Sequence, residues 1–295
     1  MMKKKASIHV HLFVYSGDAA LVGENLLCVR HALPGAHLVV IDDGRHPCPD
    51  EVKAQAEELG AEWRVSFWER GGNLRGKACI EGILGEMLRS MDDEGDTLVK
   101  IDADTVMVSG DDLLRFANRR EMVFWGSGSV EQRVYGCLYA LKAYAAVKIR
   151  EYVRGLELLP DAPEDIVIGA SAFNLYPGEE RHMVYAPFGP DAPDSGWTAY
   201  YWGRYPEVKG YQRFTMVTTG NPPPQPLDKR HRLPVMKNLR QMADIRRRLT
   251  GGLAVGVVPD AGSSLNEKPP DGSFSIRGFV FKDSGYFLAG SFTWM

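Results

Sequence analysis

The residues with the clearest chemical potential are two pairs of carboxylates. The first pair closes an apolar run, Thr97-Leu-Val-Lys-Ile-Asp102-Ala-Asp104. Side chains alternate faces along a strand, so Asp102 and Asp104 share one face if the strand runs on through them. Two carboxylates at a strand end suit one hard divalent cation, Mn2+ or Mg2+, whose shell is ordinarily completed by phosphate oxygens and water. That is the chemistry of a metal and diphosphate site, with Asp102 and Asp104 as ligands. Acidic residues after a strand also make plain turns or caps, so their position in the fold has to decide. The second pair, Glu164 and Asp165, follows Pro163 at the start of a helical pattern, where free amides favour carboxylates.

The elements that must hold these residues can be read in order. Ile8–Tyr15 reads as a strand, followed by a helix ending near Pro34-Gly35. His37–Ile41 is a second strand closed by Asp42-Asp43-Gly44, and a helix beginning at Asp50 follows it. Trp63–Trp68 reads as a third strand, and Gly71-Gly-Asn73-Leu-Arg75-Gly-Lys77 opens a longer helix before the Asp102 strand. Three strand and helix units in succession predict a mostly parallel sheet with right-handed crossovers. Ligands in such sheets bind beyond the carboxyl ends of the strands. Asp42, Asp43, Asn73, Arg75, Lys77, Asp102 and Asp104 all follow predicted strands and should line that edge.

Downstream, Glu121–Trp125 reads as a strand, Gly136–Arg154 as an amphipathic helix, and Arg181–Tyr185 as a strand. An aromatic tract, Trp197-Thr-Ala-Tyr-Tyr-Trp202, offers a flat platform for a sugar or a contact surface. Asn221–Pro226 is an extended connection, 235–249 a basic helix, and 274–294 a hairpin around Asp283-Ser-Gly285. The expected organisation is an α/β domain over 1–220, Rossmann-like with a mostly parallel central sheet. A C-terminal extension over 221–295, made of a helix and a β-hairpin, would pack on it.

Composition narrows the function classes. The chain has 295 residues, 44% of them apolar, and a formal charge of -3, which supplies no general field for nucleic acid. Cys28, Cys48, Cys79 and Cys137 form no Cys-x-x-Cys pair, which argues against a disulfide framework or zinc ribbon and for buried thiols. The basic N-terminus and apolar run of residues 3–15 are interrupted by His9 and His11, so they read as a strand rather than a leader. With no apolar run near the ~20 residues of a membrane span, the expectation is a cytoplasmic protein. The basic helix 235–249 offers a peripheral membrane contact or a solvated face.

In order and type of motif, residues 6–220 resemble glycosyltransferases of the GT-A fold, the nucleotide-diphosphosugar transferases. Val40-Ile-Asp42-Asp43-Gly44 resembles their strand-end aspartates, Ile101-Asp102-Ala-Asp104 their DxD motif, and Glu164-Asp165-Ile-Val-Ile-Gly169 the Glu-Asp motif of inverting members. Tyr211-Gln-Arg-Phe214 is a poor match to the QxxRW signature of the polymerising branch. The resemblance implies a metal-dependent, inverting transfer from a nucleotide-diphosphate sugar, UDP favoured and GDP the alternative, to a hydroxyl acceptor.

In that scheme Asp104 is the direct metal ligand, and Asp102 touches metal, ribose or both. Asp165 is the base and Glu164 orients it or binds an acceptor hydroxyl. Asp42, Asp43, Asn73, Arg75, Lys77, Trp197 and Trp202 are substrate contacts, and His182 or His231 is a further metal ligand. Two alternatives stand beside it. One is a catalytically silent domain of the same fold that binds a nucleotide sugar or glycan. The other is a haloacid dehalogenase-like phosphatase, whose nucleophile motif resembles Ile101–Thr105 but belongs on the first strand of its domain.

Overall fold

The computed structural model describes residues 6–70, 73–129, 133–185, 199–201, 216–219, 229–250, 279–281 and 287–289. The first half alternates strand and helix: β1 (Ile8–Val14), α1 (Ala19–Ala32), β2 (His37–Asp43), α2 (Asp50–Glu58), β3 (Ala61–Ser66), α3 (Lys77–Leu88) and β4 (Thr97–Ile101). After them come β5 (Thr105–Met107), α4 (Asp111–Asn118), β6 (Phe124–Ser129), β7 (Arg133–Lys142), α5 (Ala143–Gly155), α6 (Glu164–Leu175) and β8 (His182–Tyr185). The last elements are β9 (Ala199–Tyr201), β10 (Met216–Thr218), α7 (Leu233–Thr250), β11 (Phe279–Phe281) and β12 (Phe287–Ala289).

Seven strands form the central sheet in the order β3-β2-β1-β4-β7-β6-β8. β7 alone runs antiparallel to its neighbours, pairing Ile101 with Leu138 on one side and Phe124 with Leu141 on the other. This is the expected mixed α/β architecture. A small sheet, β5-β10-β9, adjoins it, and β11 pairs antiparallel with β12 as the hairpin reading anticipates.

The alternation in β1 shows why the sheet is covered on both faces. Ile8, Val10, Leu12 and Val14 pack into one core with Leu21, Val22 and Leu26 of α1 and Met236, Leu239 and Ala243 of α7. Phe13, on the other face, joins Ile80, Ile83 and Leu84 of α3, Ile149 of α5 and Ile168 of α6. His11 is buried between β1 and its neighbours, its ring nitrogens meeting the Val99 carbonyl at 3.0 Å and Ser90 Oγ at 2.9 Å. Burial pushes its pKa down to about 3, so it serves as a neutral core group.

The structure departs from the sequence reading in two places. Residues 136–142 are strand, not the first turns of a helix: the run Gly136-Cys-Leu-Tyr-Ala-Leu-Lys142 is apolar enough to fit either period, and pairing to β4 and β6 decides it. In addition, β4 ends at Ile101, so Asp102-Ala-Asp104 is a turn into β5 rather than a continued strand.

The α7 helix is not a loose appendage. Its apolar face is core, and Arg240 pairs with the buried Glu24 of α1. The proline tract before it lies outside the described residues.

Two loops, 73–76 and 160–164, are stitched together at the carboxyl edge. Gly76 donates to the Ala162 carbonyl at 2.9 Å and Glu164 donates to the Leu74 carbonyl at 3.2 Å. Gly76 has φ +82°, and a Cβ there would stand 2.7 Å from the Pro160 carbonyl oxygen. Leu74 also holds a positive φ of 55°, a backbone strain of the kind that collects near functional sites. Gly76→Ala should therefore destabilise the protein by about 1–3 kcal/mol, read as a lower midpoint in urea unfolding.

Candidate active site

The Asp102–Asp104 turn is held on every side by backbone contacts. Asp102 donates its N–H to the Cys137 carbonyl of β7 at 2.9 Å, and Thr105 donates to the Asp102 carbonyl at 3.1 Å. From α1, the buried Asn25 amide donates to the carbonyls of Asp102 at 2.9 Å and Thr105 at 2.7 Å. Thr219, just past β10, donates both its N–H and its hydroxyl to the Asp104 carbonyl, at 2.9 and 2.8 Å. These contacts leave the two carboxylates to face different surroundings.

Asp102 faces the second motif. Its Oδ1 lies 2.5 Å from the ammonium of Lys100, which also stands 3.1 Å from Glu164 Oε1 and donates to the Gly136 carbonyl. Lys100 is 1% exposed at the centre of the sheet, a position tolerable only because carboxylates surround it. Gly136 lets the chains close in: a Cβ there would lie 3.1 Å from both Glu164 Oε1 and Asp165 Oδ2. Burial, which outweighs the attraction of Lys100, raises the Glu164 pKa to about 8. Asp165 is also raised, with burial again the first cause. The two differ in access. Glu164 is buried, whereas Asp165 is part-exposed, with Oδ1 accepting from the Ile166 N–H at 2.8 Å.

Asp104 faces the C-terminal segment instead. The buried Arg232 guanidinium is bonded to its Oδ2, and the Lys229 ammonium lies 3.8 Å from the same oxygen. Lys229 also pairs with the buried Asp18, beyond β1, at 2.8 Å. Burial pulls the Lys229 pKa down, but the charges of Asp104, Asp18 and Asp102 outweigh it and raise the pKa above its ordinary value. Tyr15 lies beneath Lys229 and Arg70, with ring-to-cation distances of 5.7 and 5.3 Å.

The other sequence candidates divide into those at this edge and those turned elsewhere. Asp42 accepts the Cys48 N–H with both oxygens at 3.1 Å, and Asp43 accepts the Arg45 N–H at 3.0 Å while facing the His46 ring at 3.2 Å. Both are at the carboxyl edge, and both shape the loop after β2. Asn73 is exposed beside Arg75, which bridges Pro163 in the stitched loops. Lys77 turns away, donating to the carbonyls of Arg154 and Leu156 at 2.7 and 2.8 Å.

The structure does not bring His182 to the aspartates. It starts edge strand β8, which runs parallel to β6 and hence to β4, so it lies at the opposite end of the sheet from Asp102. There its Nε2 meets the Tyr176 carbonyl at 2.7 Å. His231 lies in the short helical turn Arg230–Arg232 between Lys229 and Arg232, with its side chain outside what is described. Trp197 and Trp202 also lie outside the described residues. Asp102 and Asp104 sit after the fourth strand in chain order, so the first-strand placement that a dehalogenase-like phosphatase requires is not met.

Sequence reasoning missed Lys100, Asp18, Lys229, Arg232 and Asn25. Only Lys100 carried a signal, as a lone charge inside an otherwise apolar strand.

The residues present suit a hard cation by donor type. Among the described residues no three His, Cys, Asp or Glu side chains form a closed metal cage. A site of two carboxylates completed by substrate phosphates needs no such cage, and in this structure Asp102 is paired with Lys100 and Asp104 with Arg232 and Lys229.

No protein-family model matches the chain, and no curated protein matches it in sequence. Among solved structures it is similar to a galactosyltransferase, LgtC, in complex with donor and acceptor sugar analogues, at 10% identity, covering 79% of this chain and 95% of that one with a TM-score of 0.48. It is similar to glucosyl-3-phosphoglycerate synthase from Mycobacterium tuberculosis, in complex with Mn2+, UDP and glucosyl-3-phosphoglycerate, at 13% identity, covering 88% and 83% with a TM-score of 0.44. It is also similar to the bifunctional glycosyltransferase WbbM, at 13% identity and a TM-score of 0.48, where 75% of this chain matches 47% of that chain.

Proposed function

We propose that the protein is a glycosyltransferase that moves a sugar from a nucleotide-diphosphate donor to a hydroxyl acceptor with inversion. The observation that carries this reading is the Lys100 ammonium, which binds Asp102 at 2.5 Å and Glu164 at 3.1 Å. It joins the diphosphate motif and the acid-base motif in one cluster at the ligand edge of the sheet.

Such a reaction places two demands on the site. Negative charge grows on the departing diphosphate, and the attacking hydroxyl must lose its proton. A divalent cation, Mn2+ or Mg2+, held by Asp102 and Asp104, would supply charge stabilisation to the diphosphate when bound. Lys229 and Arg232 add positive charge at the same place. Asp165, part-exposed and with a raised pKa, is suited to take the acceptor proton. Glu164, buried and largely protonated near neutrality, positions it. The neutral Glu164 also spares Asp165 a second negative charge beside it.

The donor is a UDP-sugar by preference, with GDP-sugar the alternative. Asp42, Asp43, Asn73 and Arg75 belong on the nucleotide side, with Lys77 behind the loop that carries them. Trp197 and Trp202 are the proposed acceptor platform. A cytoplasmic location and a peripheral membrane contact through 235–249 complete the proposal.

Nucleotide binding is the first test. UDP or GDP at about 100 times its Kd should stabilise the native state by about 2.7 kcal/mol, a thermal shift on the order of 5 °C that is larger with Mn2+ present. No shift with any nucleoside diphosphate would sink the reading. Binding without hydrolysis or transfer of any donor would leave a nucleotide-sugar binder.

Asp165→Asn should lower kcat by about 10²- to 10⁴-fold while leaving UDP affinity unchanged. Full activity in that variant would remove Asp165 as the base.

Glu164 gives a pH prediction. Its folded pKa of about 8 lies above the ordinary 4.5, so the folded state prefers the protonated form. The stability this contributes is complete below pH 4.5 and is lost as the pH rises through about 8. Glu164→Gln should therefore lose less stability than the wild type between pH 5 and pH 9 in denaturant titrations. An identical decline in the two proteins would contradict a protonated Glu164.

A further inference from the structure

We infer that Lys229 is the resident counter-cation of the aspartate site, and that a divalent cation must displace its ammonium from Asp104. The inference rests on the glycosyltransferase reading for the identity of the metal's partner, a nucleoside diphosphate.

The geometry is specific. Lys229 Nζ stands 2.8 Å from Asp18 and 3.8 Å from Asp104 Oδ2, with both carboxylates buried. Its own side chain is 19% exposed, so it reaches the site from the solvent side, and the Tyr15 ring lies against it. Arg232 differs. It is 2% exposed, and its bond to Asp104 makes it a fixed part of the wall.

Charge then sets the order of events. On this side of the site Asp18 and Asp104 face Lys229 and Arg232, two carboxylates against two cations, so their charges are balanced as they stand. A dication added to a balanced cluster gains little, and an ammonium 3.8 Å from its ligand oxygen repels it strongly at the effective dielectric of a protein surface.

Of the three cations Lys100, Lys229 and Arg232, Lys229 is the least enclosed, and it sits on a short segment rather than within the sheet. Its departure from Asp104 would leave that carboxylate paired with Arg232 alone, lower the repulsion on an incoming metal, and leave the ammonium, still near Asp18, next to the incoming diphosphate. The metal and the diphosphate would then bind together rather than separately, because each removes an obstacle to the other.

The test is Mn2+ binding to the full-length protein without nucleotide, followed by the electron paramagnetic resonance signal of free Mn2+. Lys229→Met should bind Mn2+ about tenfold tighter or more than the wild type, whereas Lys229→Arg should match the wild type. Thermal unfolding confirms that each variant is folded. If Lys229→Met is folded and binds Mn2+ no tighter, the inference is overturned, and likewise if neither protein binds Mn2+ at all. UDP titrations run alongside keep the two claims apart. UDP binding with unchanged Mn2+ affinity rejects the counter-cation and leaves the transferase reading intact. Absence of all nucleotide binding rejects the transferase reading, while the Mn2+ comparison still decides the role of Lys229.

Discussion

The structure of the site depends on one buried ammonium. Lys100 is fully enclosed in β4, and an enclosed charge of this kind is unfavourable unless opposite charge and hydrogen-bond acceptors meet it. Three groups from three elements do so: Asp102 at the end of its own strand, Gly136 of β7, and Glu164 at the start of α6. Meeting that demand fixes where α6 begins relative to the aspartate turn. The close approach at Gly136, where a side chain would press on both acids, is part of the same arrangement. An interaction that by itself adds little to stability thereby sets the geometry of the chemistry.

The aspartate turn then acts as a divider. Had β4 run on through Asp104, both carboxylates would have faced one way. Because it ends at Ile101, Asp102 joins the sheet's own lysine and Asp104 joins cations from a segment more than a hundred residues later. The N-terminal sheet therefore supplies the acids and one cation, and the C-terminal segment supplies the rest. The packing of Met236, Leu239 and Ala243 into the α1 face of the core is what brings Lys229 and Arg232 within reach.

How much of this the sequence displayed follows from the range of the interactions. The parallel sheet was legible because strand and helix periods alternate locally, and Asp42, Asp43, Asp102 and Asp104 could be placed on one edge by topology alone. The run 136–142 was misread because an apolar stretch of that length satisfies two periods, and a partner strand had to choose. Lys77 is plausible at a helix start facing a phosphate, yet two carbonyls at the end of α5 take its ammonium. Lys229, Arg232 and Asp18 left no pattern at all. Their significance arises only from proximity across the fold, and no spacing in the chain encodes that.

The division of labour between Glu164 and Asp165 shows what the fold adds to a motif. Adjacent carboxylates at a helix start look interchangeable in sequence. Burial separates them: Glu164 is drawn under the sheet edge beside Lys100, while Asp165, one residue on, keeps part of its surface open. Two like charges so close cannot both be carried cheaply away from water, so one proton is retained, and it belongs on the more enclosed acid. Asp165 is left part-exposed and reachable, with burial holding its pKa above the ordinary carboxylate value, and a base for an incoming hydroxyl needs both that access and a proton affinity of this kind.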